Sequence, residues 1–366
     1  MIPFLSFDYQ QKLLGAKLLK KAENVLDSKY FVLGNEVNSF EKKFANLLNT
    51  KYAIGVGSGL DALIIALRAI KIMPGDEIIV PSNTYIATWL AISQLGAKII
   101  PVEPDIKTYN INPLKIEEKI TSKTKVIMPV HLYGQACDMV SIMKISKKYN
   151  LFVVEDNAQA QLATFGGQFT GTFGVVSATS FYPTKNLGAI GEAGCITTES
   201  KKIMKFCRAY RNYGSEEKYI NKIKGINSRI DEIQAAFLNV KLDYLKEFTD
   251  ERRKQAEYYN KNLPNMENCI LPYQSSNSNS VFHLYVIQTP KRKKLQQYLL
   301  KNNIGTAIHY PIPPHLQKAY QELNFKKGDF LISEFLANNL LSIPLYPGLK
   351  RIDQDYIIES IRFFFK

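Results

Sequence analysis

Two segments carry side chains that could perform chemistry on a cofactor or substrate. In LFVVEDNAQAQ (151–161), an apolar run leads into Asp156, and Gln159 follows three residues later. A carboxylate there either caps the first turn of a helix or binds a positive group as a buried ligand. In SFYPTKNLGAIGEAG (180–194), Lys185 follows aromatic residues and precedes glycines that permit close backbone approach. A loop lysine is usually a solvated charge, but a partly desolvated lysine has a lowered pKa and can form a Schiff base.

The segment GVGSGLDALIIAL (55–67) is a third candidate, with a short apolar run, a Gly/Ser turn and a helical pattern. Backbone N–H groups at a helix N-terminus, together with the hydroxyl of Ser58, predict a phosphate site. A dinucleotide-binding GxGxxG pattern would need glycine where the chain has Leu60, which disfavours nicotinamide binding. Asp61 lies in the first helical turn and would repel a phosphate, so its carboxylate must face away if the prediction is right.

The elements that position these residues alternate between apolar runs and segments with helical spacing. The runs are YAIGV (52–56), DEIIV (76–80), AKIIPV (97–102), KVIMPV (125–130), LFVVE (151–155) and AGCITT (193–198). The intervening helical patterns are LDALIIALRAI (60–70), IATWLAISQL (86–95) and MVSIMKISKKY (139–149). This alternation predicts an α/β fold with a mostly parallel sheet buried on both faces. Ligands of such sheets bind at the carboxyl ends of the strands.

The pattern changes after residue 200 and predicts a smaller α+β domain at the end of the chain. Residues 1–240 are assigned to a large domain, whose N-terminal helix can pack on the small one, and residues 241–366 to the small domain. The predicted elements are helices over 200–213 and 229–247, an exposed loop SSNSNS (275–280), a strand FHLYVIQT (282–289), a helix KRKKLQQYLLKNN (291–303) and a closing helix over 353–365.

Composition restricts the partners rather than the fold. The 366 residues include 47 Lys and Arg against 33 Asp and Glu, a net charge of +14 that favours anionic ligands. We expect no nucleic-acid binding, because no binding motif accompanies the basic runs KRKK (291–294) and ERRK (251–254), which we expect to be solvated. Four scattered cysteines predict neither a disulfide framework nor a metal site and favour a reducing, cytoplasmic compartment. No secretion signal or membrane span is expected.

The chain resembles the DegT/DnrJ/EryC1/StrS family of pyridoxal-phosphate-dependent sugar aminotransferases, of the aspartate-aminotransferase fold type (fold type I). The resemblance runs nearly end to end. It is carried by GNEVNSFEKKFA (34–45), GVGSGLDAL (55–63), PSNTYIATWLAI (81–92), VHLYGQACDM (130–139), VEDNAQA (154–160), SFYPTKNLGAIGEAG (180–194), RNYGS (211–215) and INSRIDEIQAAFL (226–238). The order and spacing of these segments match the family throughout.

The resemblance assigns roles around the cofactor ring. Lys185 matches the catalytic lysine that binds pyridoxal 5'-phosphate as a Schiff base. Asp156 matches the carboxylate that keeps the pyridine nitrogen protonated, and Gln159 the residue beside the ring hydroxyl. Tyr85 matches an aromatic residue stacked on the ring. Family members with histidine in place of the lysine are dehydratases, so Lys185 favours transamination.

The resemblance also implies phosphate ligands and an oligomeric state. Ser58, Gly59 and Ser180 match residues that bind the cofactor phosphate. Asn227 matches a residue that reaches the phosphate bound to the neighbouring subunit. The resemblance therefore implies a homodimer with shared active sites.

The segment AIHYPIPPHLQKAY (307–320) resembles the substrate loop of members that aminate C-3 of dTDP-linked 3-keto-6-deoxyhexoses with L-glutamate as donor. On that basis Tyr182, His309 and Tyr310 are expected to bind substrate, although His309 could instead pack beneath a proline-stiffened loop. His131 and Tyr133 follow another strand and are left open between site and structural roles. Two alternatives remain, amination at C-4 of a 4-keto sugar and a cofactor-binding regulator without turnover.

Overall fold

A seven-stranded sheet forms the centre of the computed structural model, which describes residues 1–263 and 268–366. The strand order is β1-β9-β8-β5-β4-β2-β3, and β9 runs antiparallel to both of its neighbours while the other adjacent pairs are parallel. The strands are β1 (Tyr52–Val56), β2 (Glu77–Pro81), β3 (Lys98–Val102), β4 (Thr124–Ile127), β5 (Phe152–Asp156), β8 (Val176–Ser180) and β9 (Gly194–Thr198). The expected mostly parallel α/β sheet is confirmed.

Helices cover this sheet and bury its two faces. They are α2 (Asn35–Leu48), α3 (Gly59–Ala69), α4 (Ile86–Ser93), α5 (Met139–Tyr149), α6 (Lys201–Tyr210) and α7 (Glu232–Leu242), and α1 (Asp8–Ser28) packs on α7. Several begin at a capping side chain, because Ser and Asp are favoured at the residue that precedes a helix. Ser58, Asp138 and Ser200 each accept a hydrogen bond from a backbone N–H in the first turn of α3, α5 and α6.

Strand β8 is the element that the apolar pattern missed, and it leads into the loop that carries Lys185. Its sequence, VSATS, has hydroxyl side chains at alternate positions, yet every residue is buried. Ser177 Oγ donates to the carbonyl of Glu155. The hydroxyl hydrogen bonds remove the usual cost of burying these side chains, so no apolar run was needed to place this strand in the middle of the sheet.

The C-terminal part has its own apolar core. One predicted element differs from observation: the helix expected over 229–247 begins at Glu232, is broken after Leu242 and resumes at Leu245. The remaining elements are α8 (Leu245–Asn262), β13 (Tyr285–Gln288), α9 (Arg292–Lys301), α10 (Leu331–Asn339), β14 (Leu340–Ile343) and α11 (Arg351–Phe365). Strands β13 and β14 pair antiparallel, and α8, α9 and α11 pack around them.

The polar run SSNSNS is only in part the exposed loop that its composition predicted, since Ser276, Asn277 and Asn279 are exposed. Within it, β12 (Ser278–Asn279) adds to a small sheet with β6 (Thr164–Phe165) and β7 (Gln168–Phe169). Ser278 and Ser280 are buried, and their hydroxyls bond the backbone of Ala136 and Gly134. A short hairpin, β10 (Ser215–Glu217) and β11 (Ile220–Asn221), lies apart from these sheets.

The basic run ERRK also differs from its predicted solvated position. Arg252 is 3% exposed, and its guanidinium donates to the carbonyl of Leu345 over 3.1 Å. Arg253 is half-buried and donates to the carbonyl of Ser280 over 2.9 Å. Arginine can satisfy several buried carbonyl groups at once, which is why a charged run on a helix can face the interior.

Helix α1 contacts both parts of the chain, since Leu14 packs with Val240 of α7 and Phe248 of α8. The domain boundary at residue 240 stays a prediction.

All four cysteines are free and buried. Among residues 1–263 and 268–366, no helix is long and apolar enough to cross a membrane.

Candidate active site

Asp156 is the last residue of β5, at the carboxyl edge of the sheet, and is 5% exposed. Its Oδ2 accepts from the hydroxyl of Thr88 over 2.8 Å, and its Oδ1 accepts from the N–H of Ala158 over 3.1 Å. Burial raises the pKa of Asp156, and these two bonds and the charge of Lys185 oppose that rise. The carboxylate is thus held by neutral donors in a buried place where a positive ligand would be stabilised, rather than capping a helix.

Lys185 lies in a closed loop that follows β8. The loop is tight because the N–H of Lys185 donates to the carbonyl of Tyr182, and the N–H of Ala189 donates to the carbonyl of Phe181. A Cβ on Gly188 would lie 2.2 Å from the carbonyl oxygen of Pro183, so only glycine fits there. Burial lowers the pKa of Lys185 to about 8, and the charge of Asp156 opposes that fall. A solvated charge, the other interpretation, does not fit this environment.

Two histidines adjoin Lys185 and are held neutral. Burial, followed by the charge of Lys185, lowers the pKa of His309 to about 4 and that of His283 well below its usual value. Nδ1 of His283 lies 3.2 Å from Oδ1 of Asn186, the residue after the lysine. Nδ1 of His309 lies 2.9 Å from the hydroxyl of Ser342. Among the described residues, Asp156 is the charged group that acts on the pKa of Lys185.

Gln159 links the strand ends to the segment 307–320. Its Oε1 accepts from the N–H of Tyr133 over 2.8 Å, and its Nε2 donates to the hydroxyl of Tyr310 over 3.1 Å. The rings of Tyr310 and Tyr85 are 5.2 Å apart, and Tyr85 is 53% exposed. The hydroxyl of Tyr133 donates to the carbonyl of His309, so it supports this segment from below. The structure therefore brings Tyr85, Gln159 and Tyr310 together beside Asp156.

The predicted phosphate residues also meet. Ser58 caps α3 by accepting from the N–H of Asp61 over 3.1 Å. A Cβ on Gly59 would lie 2.6 Å from Cβ of Ser180, so the turn and the end of β8 are in close contact. The carboxylate of Asp61 accepts from the hydroxyl of Ser228 over 2.8 Å. The carboxylate of Asp61 is thus bonded to Ser228 and not to the hydroxyl of Ser58, as the phosphate prediction requires.

The remaining predicted residues lie in three different settings. The side chain of Tyr182 is 47% exposed beside the Lys185 loop. Asn227 is exposed, and its backbone pairs with that of Asn212. His131 is fully buried, with Nε2 3.0 Å from a carboxylate oxygen of Glu155 and Nδ1 accepting from the N–H of Cys137. These bonds favour a structural role for His131, whereas Tyr133 contacts the site through Gln159 and His309.

Sequence reasoning missed three residues of this site. Thr88 lies one helical turn after Tyr85 on α4, so the PSNTYIATW segment carried a spacing signal that could have found it. Asn186 follows Lys185 directly, but its contact with His283 brings together positions nearly one hundred residues apart. No local pattern around His283 indicates that contact.

The residues present fit pyridoxal phosphate. The buried carboxylate of Asp156 bonds only neutral donors among the described residues and would hold a protonated pyridine nitrogen. The first N–H groups of α3 have no intrahelical acceptor, and the glycine in the turn leaves its backbone open to a phosphate. Lys185, with its lowered pKa, supplies an amine for the aldehyde.

Comparison with known proteins decides the family. A model of the DegT/DnrJ/EryC1/StrS aminotransferase family matches residues 13–362. This chain belongs to that family. It is 49% identical over 361 residues, 99% of both chains, to a dTDP-3-amino-3,6-dideoxy-alpha-D-galactopyranose transaminase of Aneurinibacillus thermoaerophilus. The resemblance drawn from the sequence motifs is confirmed.

Solved structures agree. The fold is similar to that of Streptomyces venezuelae DesV in complex with a ketimine intermediate, with a TM-score of 0.97, 40% identity and coverage of 99% of this chain and 98% of that chain. It is also similar to NtdA of Bacillus subtilis with bound cofactor PMP, with a TM-score of 0.93, 32% identity and coverage of 99% and 84%. The enzyme is a transaminase of the pyridoxal-phosphate-dependent type, as expected.

Proposed function

We propose that this aminotransferase transfers an amino group from L-glutamate to C-3 of a dTDP-linked 3-keto-6-deoxyhexose. The similarity, at 49% identity over nearly the whole chain, to a transaminase named for a 3-amino-3,6-dideoxy sugar supports the substrate class. The observation that carries the chemistry is the meeting of Lys185 and Asp156 at one edge of the sheet, each shifting the pKa of the other. Cytoplasmic location and a homodimer with shared sites stay predictions.

When bound, the cofactor supplies an electron sink for the carbanion that remains after loss of the α-proton. Asp156 would hold the ring nitrogen in its protonated form, because a buried carboxylate stabilises a positive partner. Lys185, with a pKa of about 8, is half in its neutral form near that pH and can both accept and return a proton. The side chain of Lys185 therefore performs the proton transfer between the two carbon centres.

The segment 307–320 would exclude water above the reacting carbon. Tyr310 is held over the site by Gln159 and by the ring of Tyr85, and its backbone neighbour His309 is bonded by Tyr133. The hydroxyl of Tyr310 stays protonated, since burial raises its pKa well above the usual value. It can therefore donate a hydrogen bond to a sugar hydroxyl or a phosphate oxygen of the substrate.

The test is conversion of dTDP-3-keto-6-deoxyhexose by the purified enzyme with L-glutamate, followed by mass and NMR analysis of the sugar product. We expect 2-oxoglutarate and an amine at C-3 in equal amounts. An amine at C-4, formed only from the 4-keto isomer, would overturn the proposed position. Cofactor binding without formation of 2-oxoglutarate from L-glutamate, whichever keto sugar is supplied, would favour the regulatory alternative.

A further inference from the structure

The carboxylate of Asp61 lies close to the Ser58 turn (residues 57–59), where the cofactor phosphate is predicted to bind. It lies in the first turn of α3, two residues after Gly59, where a negative charge would repel a bound phosphate. In the structure, Oδ2 of Asp61 accepts from the hydroxyl of Ser228 over 2.8 Å. The backbone N–H of Asp61 meanwhile donates to the hydroxyl oxygen of Ser58 over 3.1 Å. The orientation of this carboxylate therefore depends on Ser228, which is 167 residues away in sequence.

Ser228 can donate to only one group, and its surroundings determine which. Its hydroxyl oxygen accepts from the N–H of Gly57 over 3.0 Å, which leaves the single hydroxyl proton for Asp61. The residue is 4% exposed, and its own N–H donates to the carbonyl of Arg211 over 2.9 Å. Ser228 is thus fixed on both its backbone and side chain before it bonds the carboxylate.

The contact is also packed against the turn. A Cβ on Gly57 would lie 3.2 Å from Oδ2 of Asp61 and 3.3 Å from the hydroxyl of Ser228. On the other side of the turn, a Cβ on Gly59 would meet Ser180 at 2.6 Å. Gly57 therefore lies beside the hydrogen bond between Asp61 and Ser228, whereas Gly59 lies beside Ser180, a predicted phosphate ligand. The Asp61 carboxylate and the predicted phosphate ligand are on different sides of the turn.

We propose that Ser228 is a positioning residue for cofactor binding, which acts by holding the Asp61 carboxylate away from the phosphate. The inference rests on the proposed phosphate role of the Ser58 turn. Without the hydroxyl of Ser228, the carboxylate loses its donor and is free to rotate toward the first turn of α3. The negative charge then opposes the phosphate, while the aldehyde and ring of the cofactor are unaffected.

The test measures binding of pyridoxal 5'-phosphate and of pyridoxal, which lacks the phosphate, to the full-length apoprotein by equilibrium dialysis. Ser228→Ala should weaken binding of the phosphorylated form about 10- to 100-fold, since each 1.4 kcal/mol of repulsion is a factor of about ten. Binding of pyridoxal should change less than about threefold. Ser228→Thr, which keeps the hydroxyl, should bind both like wild type.

The decisive variant is the double substitution Asp61→Asn with Ser228→Ala. Removing the carboxylate charge should restore phosphate-dependent binding to within about threefold of Asp61→Asn alone. Displacement of the neighbouring Asn227, or a general loosening of the turn, would not be repaired in this way. Ser146→Ala, which removes another buried hydroxyl that bonds Leu151, is the matched control and should bind both ligands normally.

Three results would overturn the inference. Wild-type affinity of Ser228→Ala for pyridoxal 5'-phosphate would do so, as would equal weakening of both ligands without rescue by Asp61→Asn. If the wild-type protein does not distinguish pyridoxal 5'-phosphate from pyridoxal, the phosphate assignment itself fails and the inference fails with it. A thermal melt of each variant establishes that the compared proteins are folded.

Discussion

Lys185 and Lys241 are two lysines with the same lowered pKa of about 8, and they lie in different kinds of place. Lys185 is in the loop after β8, near Asp156 and two neutral histidines. Lys241 lies near the end of α7, is 8% exposed, and donates to the carbonyl of Gly188 over 2.7 Å. Burial alone lowers the pKa of Lys241, whereas the charge of Asp156 opposes the effect of burial at Lys185.

The comparison teaches that a lowered pKa does not by itself mark a catalytic lysine. Both amines are desolvated, so both are partly neutral near pH 8. Only Lys185 shares its environment with a carboxylate that can hold a cofactor ring and with a turn suited to a phosphate. Lys241 instead holds the far end of the same loop in place through Gly188.

The largest expected effect separates the two lysines by activity. Lys185→Ala should lower the transamination rate by about a thousandfold or more, because it removes the amine that moves the proton between the two carbon centres. The variant should still bind the cofactor through its ring and phosphate contacts. The matched substitution Lys241→Met should change the rate by less than about tenfold. Steady-state turnover with L-glutamate and keto sugar is the measurement, and a rate near wild type for Lys185→Ala would refute its catalytic role.

A smaller effect tests the charge that distinguishes the two sites. Asp156→Asn should lower turnover about 100-fold, as expected for loss of one fixed electrostatic partner. Because the charge of Asp156 raises the pKa of Lys185, its removal should move that pKa further below about 8. The pH dependence of amine labelling, read by peptide mass spectrometry in the apoprotein, gives both pKa values at once. The pKa of Lys241 should not move; an unchanged pKa of Lys185 would contradict the proposed coupling.

The smallest effect concerns stability and belongs to Lys241. Its pKa is about 8 in the folded protein, against about 10.4 in an unfolded chain. Between about pH 8 and pH 10.4 this lysine is more protonated in the unfolded chain than in the folded protein. It therefore makes the free energy of unfolding rise with pH in that range. Lys241→Met should remove about 1 to 2 kcal/mol of that rise between pH 8 and pH 9.5. Denaturant unfolding of both proteins at these pH values is the measurement, and parallel pH profiles would show that Lys241 is not desolvated.

The sequence predicted the sheet and its ligand-binding edge because buried parallel strands are nearly continuous apolar runs, as in β2 and β5. It failed for β8, where the buried hydroxyls of Ser177 and Ser180 bond the backbone and that of Thr179 accepts from the side chain of Asn157, so the strand needs no apolar run. It failed in part for SSNSNS, because the buried Ser278 and Ser280 cannot be told from exposed loop serines by residue type alone. The sequence identifies the type of each side chain but not the group to which it hydrogen-bonds.

In the candidate site, too, some residues could be predicted from the sequence and others could not. Asp156 and Lys185 stand out because each interrupts a pattern, a carboxylate ending an apolar run and a lysine among aromatics and glycines. The contacts of His283 with Asn186 and of Ser228 with Asp61 join distant parts of the chain. Local spacing cannot show such contacts, because only the folded backbone brings the two partners together.

The four buried cysteines offer a way to follow motion in this enzyme. Burial raises the pKa of Cys207 and Cys269 to about 12, and that of Cys137 and Cys195 above the usual range as well. An alkylating reagent attacks the thiolate, so each sulfur can react only when its surroundings open to solvent. Since Cys195 lies in β9, Cys207 in α6 and Cys269 near β13, the order of their modification would rank the opening of the sheet, a covering helix and the C-terminal core.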